Sequence, residues 1–368
     1  MELKKSFSNI SDHYFLGIDR PLFATVVALC LFSLFNLYGI GGTQNPYFWK
    51  QVIFVILGIM MMAISSFFNY RYLKNNSVAV FALYIVSVVL LTMPFLFDSI
   101  RGVRVWISIG GLTFEPAELV KLALVILMAK YFSQRHIHIN DYRQIIVSGL
   151  YCLIPIAITL FQPDLGSAII MFFIWLGMLV AIGLNRRQLF VLAMLLLVVG
   201  TIGWTFALKP YQKVRVVSFL NPGDDPYGSG YNLIQSKIAI GAGHWFGSGW
   251  GKGPQTSNGF LPEPYNDFVF ASTADQFGLF GIGAILAAII FLISRIMRIA
   301  GRATSNFGRL FAVGLAIIIA THAIVGSGVD LGLMPVTGIP FPFISYGGSS
   351  LLSLLIGLGI LQSIKRYG

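Results

Sequence analysis

Residues 263–292 read EPYNDFVFASTADQFGLFGIGAILAAIIFL, an apolar run with two carboxylates, Asp267 and Asp275, at its head. Eight residues are about 800° of helical rotation, so the two acids share nearly one face. An acid at a helix N-terminus gains roughly 0.3–1 kcal/mol from the dipole. One at membrane depth costs at least ~2.5 kcal/mol. Asp267, at the mouth of the run, would keep enough water to stay ionised and act as a base; capping is its alternative role. Asp275, deeper, would orient or pair with another group, in a ligand site or in the structure alone. A second acid, Glu118, precedes Lys121 by three residues in TFEPAELVKLALVILMAK, so the two share a face and can pair. That pair either fixes helix packing or lines a polar cavity. The basic residues Arg101, Arg104, Lys209, Lys213, Arg215, Lys237 and Lys252 suit an anionic headgroup such as a pyrophosphate, with solvated loop charges as the alternative. In GLMPVTGIPFPFISYGGSSLL, Ser345, Tyr346, Ser349 and Ser350 can offer hydroxyls to a ligand. Asp164 in FQPDLGSA reads as a helix cap, and His322 as a lone packing residue without metal spacing.

These residues need elements to hold them. The chain has 368 residues, 56% hydrophobic and 11% charged, against about 25% charged in soluble proteins. Ten spanning segments are predicted, at 21–41, 50–68, 77–97, 117–133, 145–161, 167–184, 189–208, 266–292, 308–330 and 347–364. The fold class is therefore an all-α polytopic membrane protein. Residues 1–20 form a tail and 21–368 a single membrane domain. Without a small-residue cleavage site, the first span reads as retained. Arg71, Lys74, Arg135, Arg143, Arg186, Arg187, Arg295, Arg298 and Arg302 follow the even-numbered segments, and the tails add Lys4, Lys5, Lys365 and Arg366. The positive-inside rule then puts both termini in the cytoplasm. The net charge of +11 is a topology signal, and nucleic acid is not an expected partner.

Ten of the fourteen acids fall in outer loops or predicted spans, so the chemistry is expected on the outer side. The loop 209–265 contains YNLIQSKIAIGAG, whose rhythm predicts a short interfacial helix. A loop of this length is expected to be functional. Cys30 and Cys152 read as buried small hydrophobes.

Several long blocks, in order, resemble the signatures of one family. They are RVWISIGGLTFEPAELVKLA, QPDLGSA, YQKVRVVSFLNPGDDPYGSGYNLIQSKIAIGAG, FLPEPYNDFVFA and MPVTGIPFPFISYGGSS. The chain is similar to the SEDS family (shape, elongation, division and sporulation), most closely its elongation-type branch, with the division-type branch as nearest sister. The resemblance implies a bacterial peptidoglycan glycosyltransferase that polymerises lipid II at the outer face of the cytoplasmic (inner) membrane. It also implies a class B penicillin-binding protein as transpeptidase partner, and a divalent cation, Mg²⁺ or Mn²⁺, held by Glu118 or Asp267. Carried over, the family's loop aspartate is Asp267, its helix carboxylate and lysine are Glu118 and Lys121, and its motif tryptophan is Trp106. Arg104, Arg215, Lys237, Asp275 and Ser345 are the expected substrate contacts.

The chain departs from the family pattern at Glu115, where Gln is usual, at Asp275, usually Glu, at Asn266, usually Thr, and at Gly326, aligned with a common Asn. A lipid II flippase and a structural scaffold are the competing readings. The outward weighting of the acids favours the enzyme, and a scaffold needs no intramembrane acids.

Overall fold

The computed structural model describes residues 17–97, 103–109, 112–134, 142–202, 213, 217–228 and 230–368. A helix stands at each of the ten predicted segments: α1 (Arg20–Gly41), α2 (Pro46–Phe67), α4 (Ser77–Thr92), α5 (Pro116–Ser133), α6 (Tyr142–Phe161), α7 (Leu165–Ile182), α8 (Arg186–Ile202), α11 (Val269–Arg302), α12 (Asn306–Asp330) and α13 (Gly348–Tyr367). Short helices α3 (Arg71–Asn75), α9 (Tyr231–Ala242) and α10 (Pro254–Ser257) lie between them. Among the described residues, eight helices are long and apolar enough to cross a membrane. The two long helices outside that set are α5, which carries Glu118, Lys121 and Lys130, and α8, which is 17 residues long.

Helix starts follow local chemistry. The carboxylate or amide oxygens of Asp19, Asn45, Asn76 and Asp164 accept backbone N–H groups at the heads of α1, α2, α4 and α7, as does the Ser305 hydroxyl at α12. Each satisfies a donor that the first helical turn leaves without an intrahelical partner. Pro at the head of α2 and α5 costs nothing there, because its missing N–H would be unpaired anyway.

Three helices form the centre. Nearly every side chain of α5 is buried, and α12 and α13 are buried over most of their length. A helix apolar all round belongs inside a bundle, so the charged pair of α5 faces protein and not lipid. α13 runs along α2 at close range: Gly58 meets Leu355, and Gly359 meets Ser65, whose hydroxyl donates to Ile356 O at 3.3 Å. Small residues let membrane helices approach in this way. The outer faces of α2 and α4 expose Ile56, Ile64, Val78 and Val86, as a lipid-facing surface should.

Two features were not expected from the sequence. A hairpin pairs β1 (Ile107–Ile109) with β2 (Leu112–Phe114) in antiparallel register, Ser108 opposite Thr113. The two residues between the strands are Gly110 and Gly111, a recognised hairpin signal. The second feature corrects the predicted continuous span 266–292. α11 breaks at Gly278 (φ 64°, ψ −161°), and residues 243–252 insert there. Leu279 and Phe280 donate N–H bonds to His244 O (2.9 Å) and Trp245 O (3.1 Å). Ser248 and Gly249 donate to Asp275 O (3.0 Å) and Gln276 O (3.1 Å). The loop thus completes the ladder the break opens, the condition for irregular backbone at membrane depth. Trp250 anchors the insert on α1, stacked on Phe35 at 4.5 Å and donating to Phe35 O at 2.9 Å. The short helix predicted in the long loop is α9; its face of Leu233, Ser236 and Ala239 is buried, with Ser236 Oγ donating to Asp330 O at 2.7 Å.

Candidate active site

The N-terminal ends of α2, α5, α11 and α13 converge on one cleft of about 340 Å³. Tyr47 and Lys50 come from α2, Glu115 and Glu118 from the head of α5, and Trp106 and Thr113 from the hairpin segment. Glu263, Asn266 and Asp267 come from the approach to α11, and Gly338, Pro340 and residues 346–350 from the approach to α13. Helix N-termini carry partial positive charge and favour anions. Four of them around one opening, with Lys50 as the basic side chain lining it among the described residues, suit a phosphate-bearing ligand.

Asp267 is held by its neighbours. The Ser345 hydroxyl accepts from Phe341 N (2.8 Å) and donates to Asn266 O (2.8 Å), and Tyr346 N donates to Tyr265 O at 2.7 Å. Tyr47 packs between Tyr265 and Tyr346, with ring centroids 4.4 and 4.9 Å away. Asp330, fully buried, accepts Ala271 N at 2.9 Å through Oδ2, so it caps α11 from another helix. His322 Nδ1–H donates to Pro340 O at 3.1 Å and fixes the opposite wall. Glu263 (φ 46°) and Phe343 (φ 65°), both beside the cleft, hold left-handed backbone that a non-glycine residue adopts at a cost of about 1–3 kcal/mol. Such strain persists only where the surroundings over-determine it, as here.

Lys121 Nζ donates to Glu118 Oε1 at 2.8 Å, with both side chains at most 4% exposed. Glu118 reaches the cleft and Lys121 does not. The pair therefore has one member facing the cavity and one behind it, a mixture of the two readings drawn from its spacing. The Ser353 hydroxyl donates to Glu118 O at 2.7 Å, and Glu115 N donates to the Ser349 hydroxyl at 2.9 Å, which locks α5 to α13. Burial, then the charges of Glu118 and Asp164, push the Glu115 carboxyl up to about 8.

Other expected contacts lie elsewhere. Asp275 does not line the cleft: its Oδ2 accepts Gln255 N (3.1 Å) and Thr256 N (2.9 Å), the free donors at the head of α10. Its role is to hold the inserted loop. Ser345 acts through Asn266, as described, and the serines lining the cleft are Ser349 and Ser350. Arg104 is exposed ahead of the hairpin and outside the lining. Lys237 is exposed on α9, with its side chain across Gly332. Arg215 falls outside the described residues. The sequence reading missed Lys50, Tyr47 and Glu263 as lining groups; the only signal for Lys50 was its place on the outer side, shared with several other cations.

Among the described residues, no three His, Cys, Asp or Glu side chains are grouped to hold an ion unaided. The cleft nonetheless presents hard oxygen donors at one edge. Asn266 Oδ1 is buried without a partner, beside Asp267 and Glu263. That set fits a cation that takes one or two carboxylates and completes its shell with water and phosphate oxygens.

Residues 15–368 match the family described as cell cycle protein, FtsW/RodA/SpoVE. The chain is 34% identical over 351 residues to the peptidoglycan glycosyltransferase MrdB of Escherichia coli K12, covering 95% of this chain and 94% of that protein. It superposes on a chain from a peptidoglycan synthase complex, solved to show how polymerization and crosslinking are coordinated, with TM-score 0.80 and 32% identity, covering 95% and 98% of the two chains. The rod shape determining protein RodA of Thermus thermophilus is similar over 95% and 97%, with TM-score 0.70 and 28% identity.

Proposed function

Because the chain belongs to the FtsW/RodA/SpoVE family of cell cycle proteins, we propose that its cleft polymerises lipid II into β-1,4-linked glycan at the outer face of the bacterial cytoplasmic membrane. The observation that carries this is the placement of Asp267 at the mouth of a span, in a cleft ringed by four helix N-termini. Asp267 takes the proton as the acceptor hydroxyl oxygen attacks the donor's anomeric carbon. The bond from that carbon to the pyrophosphate oxygen breaks, the electron pair leaves with the polyprenyl pyrophosphate, and the product is inverted. A positioned base contributes roughly 10²–10⁴-fold.

Lys50 and the helix N-termini favour the charge that gathers on the leaving group. Glu118, held by Lys121, orients the sugar from beneath, and Trp106 offers a face for stacking. Asp267, with the side-chain Oδ1 of Asn266, would hold a divalent cation, which when bound would screen the pyrophosphate. The site opens away from Arg295, Arg298, Arg302 and Lys365, which the positive-inside rule places in the cytoplasm. Below the ion pair, α5 is sealed by Leu124, Val125 and Met128, each fully buried, which argues against a path for transport. We assign the elongation role and a class B penicillin-binding transpeptidase as partner. The likeness to a complex that couples polymerization to crosslinking supports the partner.

The test is polymerisation of fluorescent lipid II by the purified chain, with and without the partner, in Mg²⁺ or Mn²⁺. Wild type should yield glycan ladders, and Asp267→Asn none at an unchanged unfolding temperature. Near-normal ladders from the variant would remove Asp267 from the role. Lipid II crossing a vesicle bilayer without any ladder would replace the enzyme by a transporter.

A further inference from the structure

At the end of the bundle opposite the cleft, a second cavity of about 250 Å³ opens between α1, α11 and α13. Arg295, Arg298 and Arg302 line it from α11, and Lys365 from α13. The three arginines sit at i, i+3 and i+7 and so share one face. At its base lies Asp19, 2% exposed, which accepts Arg295 Nη2 at 2.7 Å, Arg295 Nε at 3.2 Å and Lys365 Nζ at 3.1 Å. Burial alone would raise the Asp19 carboxyl, but Arg295, the Leu22 amide and Lys365 together hold it below the usual carboxylate range. Asp19 thus fixes Arg295 and Lys365, while Arg298 and Arg302 are exposed around the opening.

Topology explains why cations gather at this end of the chain. It does not explain their convergence on one concave site from two helices with a buried carboxylate beneath. The surroundings indicate what would fill it. Ile299, Ala303 and Ile364 supply an apolar floor. Up the same helix, Phe291, one turn above Arg295 and on the arginine face, is 44% exposed, and Ala284 and Ala287 continue that face as an exposed apolar strip. A ligand matching both parts carries a phosphate on a hydrocarbon chain.

We infer that this cavity binds the headgroup of an anionic phospholipid of the adjacent leaflet, with its phosphate among Arg295, Arg298 and Arg302 and an acyl chain along Phe291, Ala287 and Ala284 of α11. Basic pockets between spans take anionic lipid in this manner. Because α11 and α13 also border the active cleft, the lipid would clamp the far ends of two of its four walls.

The experiment titrates phosphatidylglycerol into phosphatidylcholine mixed micelles holding the full chain, and counts retained lipid by native mass spectrometry. Each cation near an anionic lipid surface contributes about fivefold, so Arg298→Gln/Arg302→Gln should weaken retention by about 25-fold. Both residues are exposed, so the fold should survive, and Arg298→Lys/Arg302→Lys should keep most of the affinity. Arg186→Gln/Arg187→Gln, which removes the same charge from the start of α8, should retain lipid as wild type does. Equal loss in that control pair would reduce the effect to surface charge and overturn the site. So would unchanged retention in the glutamine variant. If glycerol phosphate, which has no tail, competes as well as phosphatidylglycerol does, the occupant is a soluble anion and the lipid assignment fails.

Discussion

Separating Glu118 from Lys121 should show an asymmetry that only their placement explains. The ion pair is 2.8 Å long with side chains 2% and 4% exposed. Removing one member of a buried pair costs about 3–5 kcal/mol, because the other is left charged and unpaired. The two cuts differ here. Glu118→Gln strands Lys121, which lies behind the cleft wall with no route to water, so the full ~3–5 kcal/mol applies. Lys121→Met strands Glu118, which lines the cleft and can be hydrated there, so its cost should fall below the ~3–5 kcal/mol of a sealed charge. Glu118→Gln/Lys121→Met leaves no stranded charge and should be more stable than Glu118→Gln alone, with a coupling of about 2–3 kcal/mol. Unfolding in detergent for all four proteins gives the cycle, and lipid II polymerisation is read on the same samples. All three variants should fail to polymerise: two lack the Glu118 carboxylate, and Lys121→Met leaves it without the partner that holds it. Additive stability losses, or Lys121→Met costing more than Glu118→Gln, would refute the reasoning. A double variant that polymerises would make the pair a packing device.

Gly278→Ala should be among the most damaging single-methyl changes. Its backbone (φ 64°, ψ −161°) is confined to glycine, and a Cβ would collide with the backbone of Gly247 and lie 2.6 Å from Phe246 N. The expected loss of at least ~1–3 kcal/mol is checked by unfolding temperature, and a wild-type value would mean the break closes into continuous helix. Asp275→Asn should retain polymerisation because an amide oxygen can still accept from Gln255 and Thr256, whereas Asp275→Ala should lose stability and activity together. Loss of polymerisation in Asp275→Asn at wild-type stability would restore Asp275 to a charged role. Glu115 adds a pH dependence. Its folded pKa of about 8 lies above the ordinary 4.5, so the folded chain holds a proton the unfolded chain has released. Stability therefore falls as pH rises from about 4.5 to 8 and levels beyond. Unfolding temperatures of Glu115→Gln should lack that slope, and parallel curves for the two proteins would show that Glu115 does not titrate there.

Much of this arrangement was legible in residue types. Asp164 reads as a cap and is one, accepting Ser167 N at 3.0 Å. Glu118 and Lys121 pair at the spacing that predicts it. The role of Asp275 stayed open between ligand site and structure because QFGLFGIGAILAAII carries no mark of the break: glycine is common within membrane helices, and only the inserted loop makes Gly278 a terminus. The cations were ambiguous for a different reason. Arg104, Lys237 and Lys50 have the same chemistry and the same predicted side, and the packing of α2 against α13 is what turns Lys50 to the cleft. The hairpin carrying Trp106 and Thr113 had a signal in the paired glycines of ISIGGLTF, but strands too short for periodicity to reveal.

α13 supplies a wall of the cleft, accepts Glu115 N through Ser349 and tethers Glu118 O through Ser353, yet it follows every other helix in the chain. During synthesis the earlier spans enter the bilayer with the charged face of α5 still missing its neighbour. The contacts that lock the head of α5 through Ser349 and Ser353 thus form only after α13 itself has entered the bilayer.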